Sequence, residues 1–429
     1  MASRSVRTTS SVSVPDAVEA RVYLAPTDRT LSIKAQPDLG LSWIKQTARM
    51  NAIPSGAVDA YTADSPGLHA KATGAALWNT LLSGSLALAL GQATRACDAA
   101  GRPVTLRLVP DADVTDDVWR QPWELLVDPK TNDFFALAAG RSIVRGAGTG
   151  PDPRPLPTDR PLLIDVIVTY PAQLPPLSGA QHELAWMTDV LPGLGPCVVR
   201  PVPVTTDADV LHRLTTTDAD VVHLICAGRD GWHVGPDFTA PTSSVLERDA
   251  LMAQTEQWIE VLEQSSIALV VLNGCAVDAT ARRLAESGLS VVGHRGQVLD
   301  EHAAFFTEAF YPQVVSRLPL DAVMTETRRG LERRFPGAMA WGSALFFTSW
   351  PPLRLGYATP STGRSVDSTA AAEPFDPASL QGDAADELLK VMVERNKERL
   401  VAQGAMWDLG WQPVDEQLKL LPPDPGGSR

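Results

Sequence analysis

Two stretches, Asp220-Val-Val-His-Leu-Ile-Cys-Ala-Gly-Arg-Asp230 and Ile267-Ala-Leu-Val-Val-Leu-Asn-Gly-Cys275, decide the fold. Each is a short aliphatic run that breaks abruptly into small residues, the pattern of a buried parallel strand delivering a loop. In open α/β sheets, ligands and reacting groups gather beyond the carboxyl ends of the strands. The second stretch ends on Cys275, so a thiol is expected at that rim. The first ends on Ala227 and Gly228, where a base would be wanted.

Working outward, the flanking chain alternates strand and helix. Leu162 to Thr169 reads as a buried strand, Ser178 to Leu191 as a helix, Val198 to Val204 as a strand and Asp207 to Thr215 as a helix. A helix over Glu247 to Gln264 separates the two deciding stretches. Helix Ala279 to Ser287, strand Leu289 to Gly293, helix Glu301 to Val315 and strand Ala344 to Thr348 follow. This alternation predicts a doubly wound, mainly parallel sheet flanked by helices, with right-handed crossovers. Upstream, Val18 to Ala35 reads as two strands around the turn at Thr27-Asp28-Arg29, and Val104 to Val109 as another. Between them Leu77, Trp78, Leu81, Leu82, Leu86 and Leu90 recur at helical spacing, which predicts one long helix over Gly74 to Ala99.

The expected organisation is therefore a polar N-terminus (1–15), an N-terminal α+β subdomain (16–150), a Pro-rich linker (151–161) and the core (162–356). A Ser/Thr/Pro/Gly-rich linker (357–383) and a helical tail (384–429) complete it. The tail carries Leu388, Val391, Met392 and Leu400 on one side of a charged helix, with Trp407 and Trp411 close behind. It reads equally as a docking element and as a helix folded back on the main body.

A net charge of -13 over 429 residues argues against nucleic acid as the main partner. The arginines at 328, 329, 333 and 334 read as a solvated helix face. Four cysteines, at 97, 197, 226 and 275, show neither paired spacing nor a nearby histidine pair, so no zinc site or disulfide framework is expected and a reducing cytoplasm fits. The longest apolar run, around Leu81 to Leu90, is too short for a bilayer, and no membrane partner is expected. No G-x-G-x-x-G or G-x-x-x-x-G-K follows the first core strand, so no nucleotide cofactor is expected.

Gln121-Pro-Trp-Glu-Leu-Leu126, Ile143-Val-Arg145, Leu174 to Glu183, Asp220-Val-Val-His-Leu224, Leu272-Asn-Gly-Cys275, Gly288 to Val292 and Asp300 to Tyr311 occur in an order and spacing that resembles a CHAT domain. That family belongs to the caspase-like group related to caspases and separases. The resemblance covers roughly residues 70 to 355. It implies a cysteine peptidase fold in which a histidine after the third core strand and a cysteine after the fourth form a dyad. Cys275 matches the nucleophile. The position of the catalytic histidine is Ala227. By the same analogy the backbone N–H groups of Gly228 and Cys275 would form the oxyanion site, and Asp230, Asp278 and Asp300 would line a pocket for a basic side chain. For each aspartate, helix capping or loop solvation is the competing role. Trp119 and Trp123 read as core anchors, and Glu124 as a buried, paired carboxylate.

A peptidase thiol needs a neighbouring base, both to generate thiolate and to protonate the leaving amine. Alanine does neither. His223 lies four residues upstream on the same strand, about 13 Å away at ~3.3 Å per residue, and reads as a packed, hydrogen-bonded strand histidine. His294, after the neighbouring strand, and His233, in the following loop, are the substitute bases. Two functions follow: a degenerate caspase-like module that binds a peptide or protein partner, such as an active peptidase, in a bacterial signalling or conflict system; or a cysteine endopeptidase with a relocated base, His294 or His233.

Overall fold

The computed structural model describes residues 17–51, 67–110, 114, 116–146, 153–157, 159–169, 178–202, 207–226, 257–275, 277–296 and 298–349. Ala227, Gly228, Asp230 and His233 lie outside them, as do the segments 1–15 and 357–429.

The strands are β1 Val18–Leu24, β2 Asp28–Ile33, β3 Ile44–Arg49, β4 Val104–Pro110, β5 Val127–Asp128, β6 Asp133–Phe134, β7 Arg141–Gly146, β8 Leu162–Thr169, β9 Cys197–Val202, β10 Val221–Cys226, β11 Leu269–Asn273, β12 Ser290–His294 and β13 Ala344–Thr348. The helices are α1 Gly67–Leu81, α2 Ser85–Ala99, α3 Asp116–Trp119, α4 Ser178–Asp189, α5 Asp207–Thr216, α6 over 257–264, α7 Asp278–Glu286, α8 Asp300–Val315, α9 Leu320–Arg334 and α10 Ala340–Ser343.

All strands but β5 and β6 form one sheet, in the order β3-β2-β1-β4-β7-β13-β12-β11-β10-β8-β9. The deciding stretches are neighbours: β10 and β11 pair in parallel, with His223 beside Val271 and Ile225 beside Asn273. β8 and β12 flank them, also in parallel. Being parallel, β8, β10, β11 and β12 end at one carboxyl edge, and the strand order switches direction between β10 and β8. Every residue of β11, β12 and β13 is buried, so helices cover both faces there.

The strands on the N-terminal side of the Pro-rich stretch extend the same sheet, because β7 pairs in parallel with both β4 and β13. That stretch is held against the core. Leu156 is buried, and the Arg154 guanidinium donates to the carbonyls of Leu262, Glu263, Ser265 and Ile267.

Two expectations change, and the direction of β13 completes the mainly parallel sheet that was expected. The helix expected over Gly74 to Ala99 is two, α1 and α2, bent by 106° at a break where Gly84 takes φ +63. The leucine repeat continues across the break because both helices bury those leucines, and glycine alone enters that conformation without strain. Strand β13 is antiparallel to β12. The long helices α8 and α9 intervene, and a second long helix returns the chain to the end of the sheet it left.

The second change concerns Arg328, expected on a solvated face. It is fully buried in α9 and donates to the carbonyls of Ala344 (3.1 and 2.8 Å) and Ile143 (3.3 Å). Burial lowers its pKa to about 10.

Candidate functional site

Strand β11 ends at Asn273, and the chain turns at Gly274, whose N–H donates to Leu272 O (3.2 Å). Cys275 follows, half-buried. The turn lies across the end of β12: Val277 N–H donates to His294 O (3.1 Å), and a Cβ on Gly293 would stand 2.8 Å from Val277 Cγ2. Gly293 is therefore a close-approach glycine that lets the turn sit down on the sheet.

The Cys275 sulfur is held by one backbone unit. It accepts the Val298 N–H at 3.4 Å and donates its S–H to Val298 O at 3.6 Å. No imidazole hydrogen-bonds to it among the described residues.

Both histidines of the neighbouring strands are committed to a buried polar network beneath the turn. Asn273 Nδ2 donates to Ala303 O (3.0 Å) and to Glu183 Oε1 (2.5 Å), which fixes the amide and leaves its Oδ1 as an acceptor. His294 Nε2 lies 2.9 Å from that Oδ1 and so carries the ring proton, while Nδ1 faces Ser343 Oγ at 3.2 Å. Burial, with His302 and His223 nearby, lowers the His294 pKa to about 3, so the ring is neutral. His294 is thus turned to Asn273 and Ser343 instead of the sulfur in this conformation.

His223 is the packed strand histidine expected. Its Nε2–H donates to Glu183 Oε1 (2.8 Å), and its Nδ1 pairs with the Tyr311 hydroxyl (2.9 Å). Burial, with Glu183 and Cys197, pushes the Tyr311 hydroxyl well above its ordinary range, so it stays protonated. Glu183 Oε1 also accepts from Thr307 Oγ1.

The two aspartates within the described residues stand at helix starts. Asp278 opens α7, where a carboxylate meets the positive end of the helix dipole. Asp300 opens α8, yet its carboxylate reaches α4: Oδ2 accepts the Gly179 N–H at 2.5 Å and lies 3.5 Å from Ser178 Oγ.

Sequence reasoning missed Glu183, Asn273 and Thr307 as a cluster. One signal was present: Ala180, Glu183 and Met187 fall at helical spacing and are all buried, so the glutamate sits on the core face of α4.

A second charged cluster lies within the N-terminal part, beside the pairing of β7 with β13. Arg145, in β7, grips Glu124 with two bonds (2.8 and 2.6 Å) and donates to the carbonyls of Trp119 (2.6 Å) and Gln121 (2.8 Å). Burial would raise the Glu124 pKa, but the charge and hydrogen bonds of Arg145, with the charges of Arg295 and Arg328, together hold the carboxyl below its ordinary range. Glu124 is the paired carboxylate expected, and Trp123 and Trp119 are buried core anchors.

A mainly parallel sheet clad by helices, with a cysteine at its carboxyl rim, defines a caspase-like cysteine-peptidase fold. The chain belongs to the CHAT domain family, whose match runs over residues 71–346. Among solved structures it is similar to the separase of Saccharomyces cerevisiae, determined in complex with securin, at 13% identity and a TM-score of 0.37. That likeness covers 62% of this chain and 17% of the separase chain. No curated protein matches the chain.

Proposed function

We propose that this CHAT domain binds a peptide or protein segment at the rim beside Cys275 without cleaving it, acting as a regulator in a bacterial signalling or conflict system. Its partner in this reading is a protein, such as an active peptidase, met in a reducing cytoplasm. The observation that carries the reading is the sulfur's environment. Its hydrogen bonds go to the Val298 backbone, while the rings of His223 and His294 are bound to Glu183, Tyr311, Asn273 and Ser343. Ala227, where the family places its histidine, has no proton to accept or return. Turnover needs both halves of that exchange.

A peptide ketone electrophile with a basic side chain tests this. The expected result is capture of Cys275 no faster than capture of free cysteine at the same pH. Rapid capture that disappears in Cys275→Ala would establish an activated nucleophile and overturn the reading.

A further inference from the structure

We propose that Asp300 is a positioning residue for the Cys275 thiol, acting through Leu299, the one residue that separates it from the sulfur's backbone partner. This rests on the reading of Cys275 as a held thiol. At one end of the segment 298–300, the Val298 N–H and C=O both engage the sulfur. At the other, the Asp300 carboxylate accepts the Gly179 N–H at the start of α4. The Leu299 side chain between them is 46% exposed, while its carbonyl accepts the His302 and Ala303 N–H groups (2.9 and 3.0 Å) at the start of α8. The segment is a short strap that leads into α8, tied to the sulfur at one end and to α4 at the other.

The α4 end of the tie is built for this carboxylate. A charged acceptor on a backbone N–H at a helix N-terminus is among the stronger hydrogen-bond arrangements. The fit is close: a Cβ on Gly179 would stand 2.5 Å from Asp300 Cγ, 2.6 Å from its Oδ1 and 2.7 Å from its backbone oxygen. Gly179 lies in the first turn of a twelve-residue helix, where alanine is otherwise the better helix former. The glycine therefore answers to Asp300 and not to the needs of α4. Asp300 sets where Val298 stands, and Val298 sets how the sulfur is covered.

Iodoacetamide, small and neutral, reads that cover directly when labelling of each cysteine is followed by peptide mass spectrometry in the full chain. Asp300→Ala and Gly179→Ala each release the strap and should raise the labelling rate at Cys275 by about tenfold, the loss of roughly one net hydrogen bond. Asp300→Asn keeps an acceptor for the Gly179 N–H and should return the rate to within about twofold of the parent. An unchanged Cys275 rate in both alanine variants would overturn the inference. So would equal acceleration at the buried Cys97 and Cys197, which would report general loosening. The binding reading fails separately, through rapid peptide-ketone capture by the parent protein.

Discussion

Two of the buried charged clusters among the described residues of the sheet are put to different uses. At the junction of β7 and β13, Glu124 and Arg145 form a closed unit: a two-bond ion pair whose remaining guanidinium donors reach the Trp119 and Gln121 carbonyls. At the carboxyl rim, Glu183 forms an open one. Its Oε1 gathers His223, Asn273 and Thr307, and through Asn273 the network reaches His294 on the next strand. The first cluster ties β7 to the segment 119–124. The second fixes the strand ends from which the Cys275 turn departs, and in doing so it consumes the two imidazoles nearest in the strand order. Ionisable groups at a peptidase-like rim are here spent on holding the platform.

The closed cluster should therefore be the more costly to break from one side. Glu124→Ala leaves a buried guanidinium without its counter-charge, and loss of one partner of such a pair costs about 4 kcal/mol. Glu124→Leu with Arg145→Met should recover part of that cost, because both charges go together, although the Trp119 and Gln121 carbonyls then lose a donor. Denaturant unfolding of the two variants measures both values. A single-variant loss below about 1 kcal/mol would show that the junction does not depend on this pair.

The open cluster should instead show itself as acid sensitivity. His294 has a folded pKa of about 3, lowered from 6.5 by burial and by its histidine neighbours. A depressed folded pKa contributes stability that is present above the unfolded value and lost as pH falls toward the folded one. Between roughly pH 6.5 and pH 3 the unfolded chain takes up a proton that the folded chain refuses, so stability should fall by about 1.4 kcal/mol per pH unit from this group. In His294→Gln that slope should flatten. If it persists unchanged, the neutral buried ring is not its source.

The sequence made the strands legible and left these clusters largely hidden. Leu162–Thr169 and Ala344–Thr348 form strands with the bounds that their aliphatic runs predict, because a buried strand announces itself locally. Cys275 could be placed at the rim for the same reason. Arg328 could not be placed, since its acceptors at Ile143 and Ala344 come from two other strands. Glu183 meets His223, Asn273 and Thr307 at separations of 40, 90 and 124 residues. A glutamate in a helix reads as solvated until those partners arrive. The α1–α2 break was hidden in the other direction: a continuous leucine repeat overrode the Ser83-Gly84 signal.

The smallest effect expected lies on the rim of the open cluster and has the opposite sign to that of His294. His182 is the neighbour of Glu183 on α4, and its Nε2 bonds Glu308 of α8 at 2.6 Å on the outer side of the same helix pair. The hydrogen bond to Glu308 raises its pKa against the pull of burial, with the charges of Glu308 and Glu183 adding to the rise. A raised folded pKa contributes stability that is fully present below the unfolded value and lost as pH rises through the folded one. The pair is 46% and 25% exposed, so water and salt screen it, and such pairs are worth about 0.5 kcal/mol. His182→Gln should remove a small stabilising increment seen just below neutral pH and leave the alkaline side unchanged. Denaturant midpoints of parent and variant at pH 5.5 and pH 8.5 measure it. A variant destabilised equally at both would show that His182 contributes through packing and not through a charged pair with Glu308.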